Sequence, residues 1–431
     1  MSFRTKFILI LLSATLTLYT VVGGWISTNA QQPANDPNAQ LRIFESVLQH
    51  IQNDYVDEPN MEKVRAGALR GLAYGLDPYS TYLTPEQVKE YNAGNKDNQA
   101  GIGAELSQVA SYLYVVAPMK GSPADQAGLS AGDIIEYIDN KATRDISLYD
   151  AKQLLNGAAG SEIKLRVLRA NTTPLTVSVK RGSSRAAAAE IRMEAGKVGV
   201  LRLNSFADTE ASEVRTKLQD LIKQGAQKIV LDMRDTAGGS INEAVAVANL
   251  FIKDGVIAQT VGREGKALKT FSADPKAVVF SGALVAMIDT GTAGAAEVVA
   301  SALIERSRGQ VVGEKSFGAG TEQQLFTLRG GDGLLLTTVK WASSGGKTFL
   351  GEDRAHSGVA PNVEVKGQEV AEAVDPDELT GNDDDAVARP EQGNEKREAA
   401  PAPAAKPPAE DLQLKKALEL LKDKAAQRAA A

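Results

Sequence analysis

No cysteine occurs in the 431 residues. That absence excludes disulfides, thiolate zinc sites, a cysteine nucleophile and a lipoprotein-type cysteine anchor, while leaving the compartment open. Histidine is nearly as scarce. Only His50 and His356 are present, far apart in sequence. A Ser-His-Asp triad would have to use one of them, and His50 falls within a helical core pattern and His356 within a polar loop. No dense basic block occurs beyond the extreme N-terminus, and the formal net charge is −6. Nucleic acid is therefore not expected as a partner. No internal repeat, metal-ligand constellation or phosphate-cradling glycine loop is found, so no metal and no cofactor are expected.

What is present begins with an address. Arg4 and Lys6 precede an uncharged, mostly apolar run from Phe7 to Ile26. A basic start followed by such a run predicts an export signal, and its length also suits a bilayer-spanning anchor. Residues 1–30 are read as signal peptide or membrane anchor, with Thr28-Asn29-Ala30 as an imperfect cleavage site. The remainder would then lie in the periplasm or otherwise outside the cytoplasm. At this length two or three domains are expected, and 43% hydrophobic with 24% charged residues suits soluble globular ones.

Residues 31–98 read as a polar stalk followed by helices. Leu41, Phe44, Val47, Leu48, Ile51 and Tyr55 keep helical spacing, and a second helix covers Met61 to Tyr74. Pro78 stops it, and Leu76-Asp77-Pro78-Tyr79-Ser80-Thr81-Tyr82-Leu83 reads as a helix–turn connector. Residues 99–183 then carry a glycine-rich loop, Gly101-Ile102-Gly103-Ala104, and a strand from Tyr112 to Ala117. The phrase Ala127-Gly128-Leu129 and Gly132-Asp133-Ile134-Ile135 follows, then a helix from Ser147 to Leu155. Alternating Ile163, Leu165, Val167 and Leu175, Val177, Val179 close the segment. This set resembles a PDZ domain. The resemblance implies that Gly101, Ile102, Gly103 and Ala104 hold a peptide's C-terminal carboxylate beside an open strand edge. A PDZ fold that only packs on its neighbour is the alternative.

Residues 184–365 alternate strands and helices, which predicts an α/β core. Strands are expected at Val198–Leu203, Lys228–Met233, Leu284–Ile288, Val311–Gly313, Leu334–Val339 and Val363–Val365, with a helix over Glu210–Gln224. Asp235-Thr236-Ala237-Gly238-Gly239 follows the second strand. Gly291-Thr292-Ala293-Gly294-Ala295-Ala296-Glu297 opens a helix, and Gly313-Glu314-Lys315-Ser316-Phe317-Gly318-Ala319-Gly320 precedes Thr321-Glu322-Gln323-Gln324. With the Leu76–Leu83 phrase, these segments resemble the carboxyl-terminal processing proteases, or tail-specific proteases, which are serine peptidases. Their first motif reads roughly G-T-A-S-A-S-E with the nucleophile at the fourth position. Their second reads roughly G-E-x-T-F-G-K-G, and its lysine is the general base.

Aligned on these motifs, the nucleophile position is Gly294 and the base position Ala319. The neighbouring serine is Ala296, an asparagine is replaced near Asp289, and the proline before the double glycine is Ala237. Gln323 keeps the glutamine that orients the lysine. The resemblance implies that Gly238 and Gly239 form the oxyanion loop, that no cofactor is needed, and that protein tails are the ligands. A serine–lysine peptidase needs a hydroxyl and a neutral amine, and glycine and alanine supply neither. The expectation is a protease homologue without peptide hydrolysis. It would bind C-terminal tails or unfolded exported proteins, or regulate an active homologue. An active peptidase using Thr292 and Lys315, and an oligomerising scaffold forming a homo-oligomer, are the alternatives. Residues 366–408, rich in Asp, Glu, Ala and Pro, read as a disordered linker. Residues 409–431 read as an amphipathic helix with Leu412, Leu414, Ala417, Leu418 and Leu421 on one side.

Overall fold

The computed structural model describes Ser13, Thr17 and residues 37–94, 99–144, 146–170, 172–183, 185–367 and 410–429. The expected anchor (apart from Ser13 and Thr17), residues 368–408 of the expected linker and residue 409 lie outside the described residues. Among the described residues no helix is long and apolar enough to cross a membrane. The chain divides into two units, Met1–Leu69 and Arg70–Ala431.

In the first unit, α1 (Pro37–Asp54) starts four positions earlier than the apolar spacing predicts. Most of the expected apolar face is in solvent: Leu41, Phe44, Val47, Leu48 and Tyr55 are exposed, and Ile51 is half-buried. His50 is exposed too and bonds to Asp54 one turn on (2.6 Å). Helix α2 (Met61–Tyr74) has the expected bounds and runs into the second unit.

The phrase after it is more than a connector. Thr81–Leu83 forms β1, paired antiparallel with Gly333–Leu335 of the core. Helix α3 (Pro85–Ala93) follows. Thr84 caps it by accepting from the Gln87 N–H, while the Gln87 side chain accepts from the Thr84 N–H.

The PDZ elements are β2 (Gln99–Ala100), β3 (Ala104–Val109), β4 (Tyr112–Pro118), α4 (Pro123–Gln126), β5 (Ile134–Ile138), β6 (Lys141–Ala142), α5 (Leu148–Leu155), β7 (Gly157–Ala158), β8 (Glu162–Leu168) and β9 (Leu175–Lys180). Their main sheet runs β3-β4-β5-β8-β9, with β6 on β5, and β2 pairs with β7. The period-2 pattern is realised on β8, where Ile163, Leu165 and Val167 are buried and their neighbours exposed. These three join Leu106, Leu113, Val115, Leu148, Ala151 and Leu155 in one apolar core. Ser147 caps α5, accepting from the Asp150 N–H (3.0 Å).

The peptidase-like core comprises β10 (Glu190–Glu194), β11 (Val198–Arg202), α6 (Glu210–Lys223), β12 (Lys228–Asp232), α7 (Ile241–Ala248), β13 (Val256–Val261), β14 (Ala267–Ser272), β15 (Ala283–Ile288), α8 (Ala295–Glu305), β16 (Gln310–Gly313), β17 (Thr321–Thr327), β18 (Gly333–Ser343) and β19 (Val363–Glu364). One sheet, β10-β11-β12-β15-β16-β19, is parallel except for β10. Alternation divides its side chains between two cores. Ile229, Leu231, Leu284, Ala286 and Ile288 pack with α6, α7 and α8. Val198, Val200, Val230, Val285, Met287 and Val312 face the opposite way. That second face is covered by the C-terminal helix α9 (Leu412–Ala429) through Ala417 and Leu421, both fully buried. Full burial of Leu421 contributes roughly 1.5–3 kcal/mol. A second core sheet, β1-β18-β13-β14 with β17 on β18, is antiparallel. Strands β13 and β14 were not expected from the sequence.

Candidate functional site

Strand β15 delivers the chain to a tight turn before α8. Asp289 organises it: its Oδ1 accepts from the N–H groups of Asp235 (2.9 Å) and Gly291 (3.0 Å) and from Thr292 Oγ1 (3.0 Å). Burial, then the neighbouring Asp235 carboxylate, push the Asp289 carboxyl up to about 7. Gly294 follows at φ +63° and ψ −110°, in the left-handed region. A Cβ built there would have room: its nearest contacts are Gly238 O at 3.6 Å and Gly238 N at 3.8 Å. A side chain at 294 would therefore project beside the Gly238 backbone.

Gly238 and Gly239 themselves lie at φ +77° and +86°. At Gly239 a Cβ would stand 2.5 Å from Phe206 Cβ, so only glycine fits. This loop is laced to the start of α8: Ala293 N–H donates to Thr236 O (3.0 Å) and Ala295 N–H to Gly238 O (3.4 Å). The backbone of the expected oxyanion loop and that of the nucleophile position are thus held side by side.

Glu297 joins the base position to them. It is fully buried. Its Oε2 accepts from the Gly294 N–H (2.7 Å) and from the Ala319 N–H (2.9 Å). Its Oε1 accepts from the Gly318 N–H (2.8 Å) and from Ser316 Oγ. One carboxylate oxygen is therefore shared by the two positions where a nucleophile and its base would stand. Burial raises the Glu297 pKa, and the four hydrogen bonds oppose that rise. Sequence reading passed over Glu297 as an alignment mark. The available signal was an acid three residues after Gly294, at the third position of a helix, where free N–H groups gather.

The other expected participants are placed as follows. The Gln323 amide donates to Thr321 Oγ1 (2.8 Å) and Thr337 Oγ1 (3.2 Å). Thr292 is buried, and its hydroxyl is bonded to Asp289 and to Met233 O (3.0 Å). Lys315 Nζ donates to Ala355 O (2.5 Å) on an exposed loop. The alternative pair, Thr292 and Lys315, is thus engaged in two separate structural roles. His356 is exposed and bonds to Asp353 (2.7 Å). In the PDZ loop, Gly101 bridges to Gly182, and Ile102 is buried with its carbonyl accepting from the Ala124 N–H. Gly103 O accepts from the Met119 N–H and Ser122 Oγ, and Ala104 opens β3.

The PDZ sheet packs directly against the segments that carry Ala293, Phe317 and Ala319. Tyr114 of β4 stacks on Phe317 (centroids 5.5 Å apart), and the same apolar seam contains Tyr112, Val116, Ala293, Ala237 and Ala319. The Glu105 carboxylate of β3 comes within 3.1 Å of where a Cβ on Gly238 would be. The Arg354 guanidinium caps the seam, 4.2 Å above the Phe317 ring. On the far side of the sheet, Arg234 is held by Asp232 (2.8 Å) and by Asp411 at the start of α9 (2.9 Å). The C-terminal segment is thereby tied to the strand that leads into the Gly238 loop.

Comparison with known proteins agrees with this geometry. The family model described as Peptidase family S41 matches residues 197–365, and a PDZ domain model matches residues 114–169. The carboxy-terminal processing protease CtpA of Bacillus subtilis (strain 168) is 29% identical over 355 residues, covering 82% of this chain and 74% of that protein. A Staphylococcus aureus (strain MRSA252) protein named Probable CtpA-like serine protease is 31% identical over 359 residues, covering 83% and 70%. Among solved structures, the photosystem II D1 C-terminal processing protease superposes with a TM-score of 0.62 at 25% identity, over 75% of this chain and 92% of that one.

Proposed function

The chain belongs to the carboxyl-terminal processing protease family of serine peptidases, and we propose that within it this member binds protein tails without cutting them. The observation that carries this reading is the shared Glu297 oxygen. It holds the nucleophile and base positions together, yet those positions are Gly294 and Ala319. The frame for acyl transfer is kept and the reacting atoms are absent, so proton transfer from a hydroxyl to an amine has no participants there. Thr292 and Lys315 do not replace them, because each is held elsewhere.

Binding, in this reading, uses the PDZ edge strand β3 and α5, and its ligands are C-terminal tails or unfolded exported proteins. The apolar run 7–26 supports, in this reading, a position outside the cytoplasm, as an anchor or a cleaved signal. Such a binder could also regulate an active homologue. The test is incubation with a panel of unfolded proteins bearing varied C-termini, read by co-purification and by mass spectrometry. Tail-dependent capture with no new fragments is the expected result; fragments that depend on Thr292 or Lys315 would replace this reading by an active peptidase.

A second reading, an oligomerising scaffold, is favoured by the exposed apolar stripe on α1, Leu41, Phe44, Val47 and Leu48. It predicts a defined oligomer by light scattering, lost on replacing Phe44 and Leu48 by serine, with no tail capture at all.

A further inference from the structure

Helix α6 carries a carboxylate where its apolar face calls for a hydrocarbon. Val214, Leu218 and Leu221 form the buried stripe of this helix, and Glu210 takes the place one turn before Val214. Glu210 is only 6% exposed. Its Oε2 accepts from Ser205 Oγ (2.8 Å), while its Oε1 is buried with no hydrogen-bond partner among the described residues. Burying an ionised carboxylate oxygen in that state is costly, and a bound proton removes the charge. Two further carboxylates stand at the same turn. Glu213 accepts from the Ala189 N–H (2.8 Å), and Glu243 of α7 accepts from the N–H of Ala211, the residue after Glu210 (2.8 Å). Asp208 is exposed just before it. The arginines of β10, β11 and α6 are engaged elsewhere: Arg192 with Glu194 (2.9 Å), Arg202 with Asp232 (2.9 Å) and Arg215 with the Ala277 carbonyl (3.0 Å). Lys217 is two turns away, about 10 Å along the helix axis. Burial pushes the Glu210 carboxyl up to about 7; the Ser205 bond opposes that rise, and Glu213 and Glu243 add to it.

The turn that Glu210 holds is strained and is joined to the Gly238–Gly239 loop. Thr209, immediately before Glu210, has φ +77°, a left-handed conformation that costs a β-branched residue free energy. Its side chain makes no cap bond to α6. Ser205, the partner of Glu210, precedes Phe206, which is fully buried. Phe206 Cβ would lie 2.5 Å from a Cβ on Gly239, so the two backbones are in close contact. The Phe206 carbonyl accepts from the Ser240 N–H (3.0 Å), and the Leu203 carbonyl accepts from Thr236 Oγ1 (2.8 Å). Residues 203–206 therefore grip the loop at both of its ends. The loop in turn bonds to the start of α8 through Gly238 O. Contacts run unbroken from the Glu210 carboxyl through Ser205 and Phe206 to the backbone beside position 294.

We propose that Glu210 is a proton-controlled latch on the Gly238–Gly239 loop: with its proton it holds Ser205 and keeps Phe206 seated against the loop, and without it the turn 205–209 releases and the loop loosens. The proton passes to water, and no other bond is made or broken. A raised carboxyl binds its proton more tightly in the closed turn than in the open one. Closure is therefore fully favoured below the ordinary carboxyl value of 4.5 and is lost as pH rises through about 7. The latch is independent of what the protein binds, because it acts on the backbone of the loop and not on a ligand.

The test is hydrogen–deuterium exchange of the full chain at pH 5 and pH 8, read by mass spectrometry on fragments covering residues 203–211 and 236–241. Each rate is divided by that of the unstructured sequence at the same pH. The corrected opening of both fragments is expected to rise about tenfold between the two pH values. A fragment covering the central strand, residues 283–288, should not change. Glu210→Gln keeps an acceptor for Ser205 and carries no charge. It should abolish the rise at 203–211 and reduce it at 236–241, where Asp289 also titrates. Glu213→Gln leaves the latch in place and removes one repelling charge, so it should open about threefold less at pH 8; it decides the matter if Glu210→Gln does not fold. An equal rise in the unaltered chain and the variants overturns the proposal. So does a rise that 283–288 shares, which is global unfolding, or a rise at 203–211 that leaves 236–241 unchanged.

Discussion

Positions 294 and 319 and the PDZ sheet packed beside them differ in what their side chains contribute. Gly294 and Ala319 carry no reactive side chain, and their backbone is closely held. Gly294 retains a left-handed φ, and Glu297 still gathers four donors from two segments. In the PDZ sheet the side chains carry the packing, with Tyr114 stacked on Phe317 and Lys152 paired with Glu105. The difference teaches that catalytic atoms and catalytic scaffold are separable. A serine hydroxyl or lysine amine contributes little to packing, so its loss leaves the fold intact. The Glu297 carboxylate and the Gly239 backbone are fixed by what surrounds them.

The largest effect that could break this comparison is at Glu297. Glu297→Ala leaves four buried donors without their acceptor and should cost about 4 kcal/mol in denaturant unfolding. A cost near zero would mean the frame is not held by this residue. Next is Gly239→Ala, which places a methyl group 2.5 Å from Phe206 Cβ at φ +86°. It should cost about 3 kcal/mol, and a neutral result would show that the Gly238 loop shifts freely.

Gly294→Ser should be milder, about 1–2 kcal/mol, because the Cβ has room and only the backbone is strained. The pH-dependent effect concerns Asp289, whose pKa in the fold is raised to about 7. A raised carboxyl binds its proton more tightly in the folded state. Its contribution is therefore fully present below the unfolded value near 4 and is lost as pH rises through about 7. Asp289→Asn keeps the Oδ1 acceptor and removes that loss. It should raise stability at pH 8 and leave it nearly unchanged at pH 4. Equal effects at both pH values would place the ionisation elsewhere.

Much of the architecture is legible in the chain because its signals are local. Period-2 alternation marks Ile163–Val167, proline ends α2 at the expected residue, and Leu412, Ala417 and Leu421 mark the terminal helix. The illegible parts depend on partners distant in sequence. Strand β14 is exposed over Ala267–Thr270, so no alternation announces it, and β1 is only three residues long and is a strand because Gly333–Leu335 lies beside it. The stripe on α1 reads as a core face because the apolar spacing of a helix does not say what, if anything, covers it. At the site, Gly294, Ala319, Gly238 and Gly239 follow from motif order. Glu297, Glu105 and Tyr114 do not, since their roles arise only when the PDZ sheet and the core segments meet.

The most direct test of the central claim is to restore the two missing side chains and look for hydrolysis. Unfolded proteins with varied C-termini would be incubated with the natural chain and with the Gly294→Ser, Ala319→Lys double replacement, and the products identified by mass spectrometry. The account predicts no cleavage by the natural chain and tail-dependent cleavage by the double replacement, because the Glu297 frame already sets both positions. Tail-dependent fragments from the natural chain would contradict it.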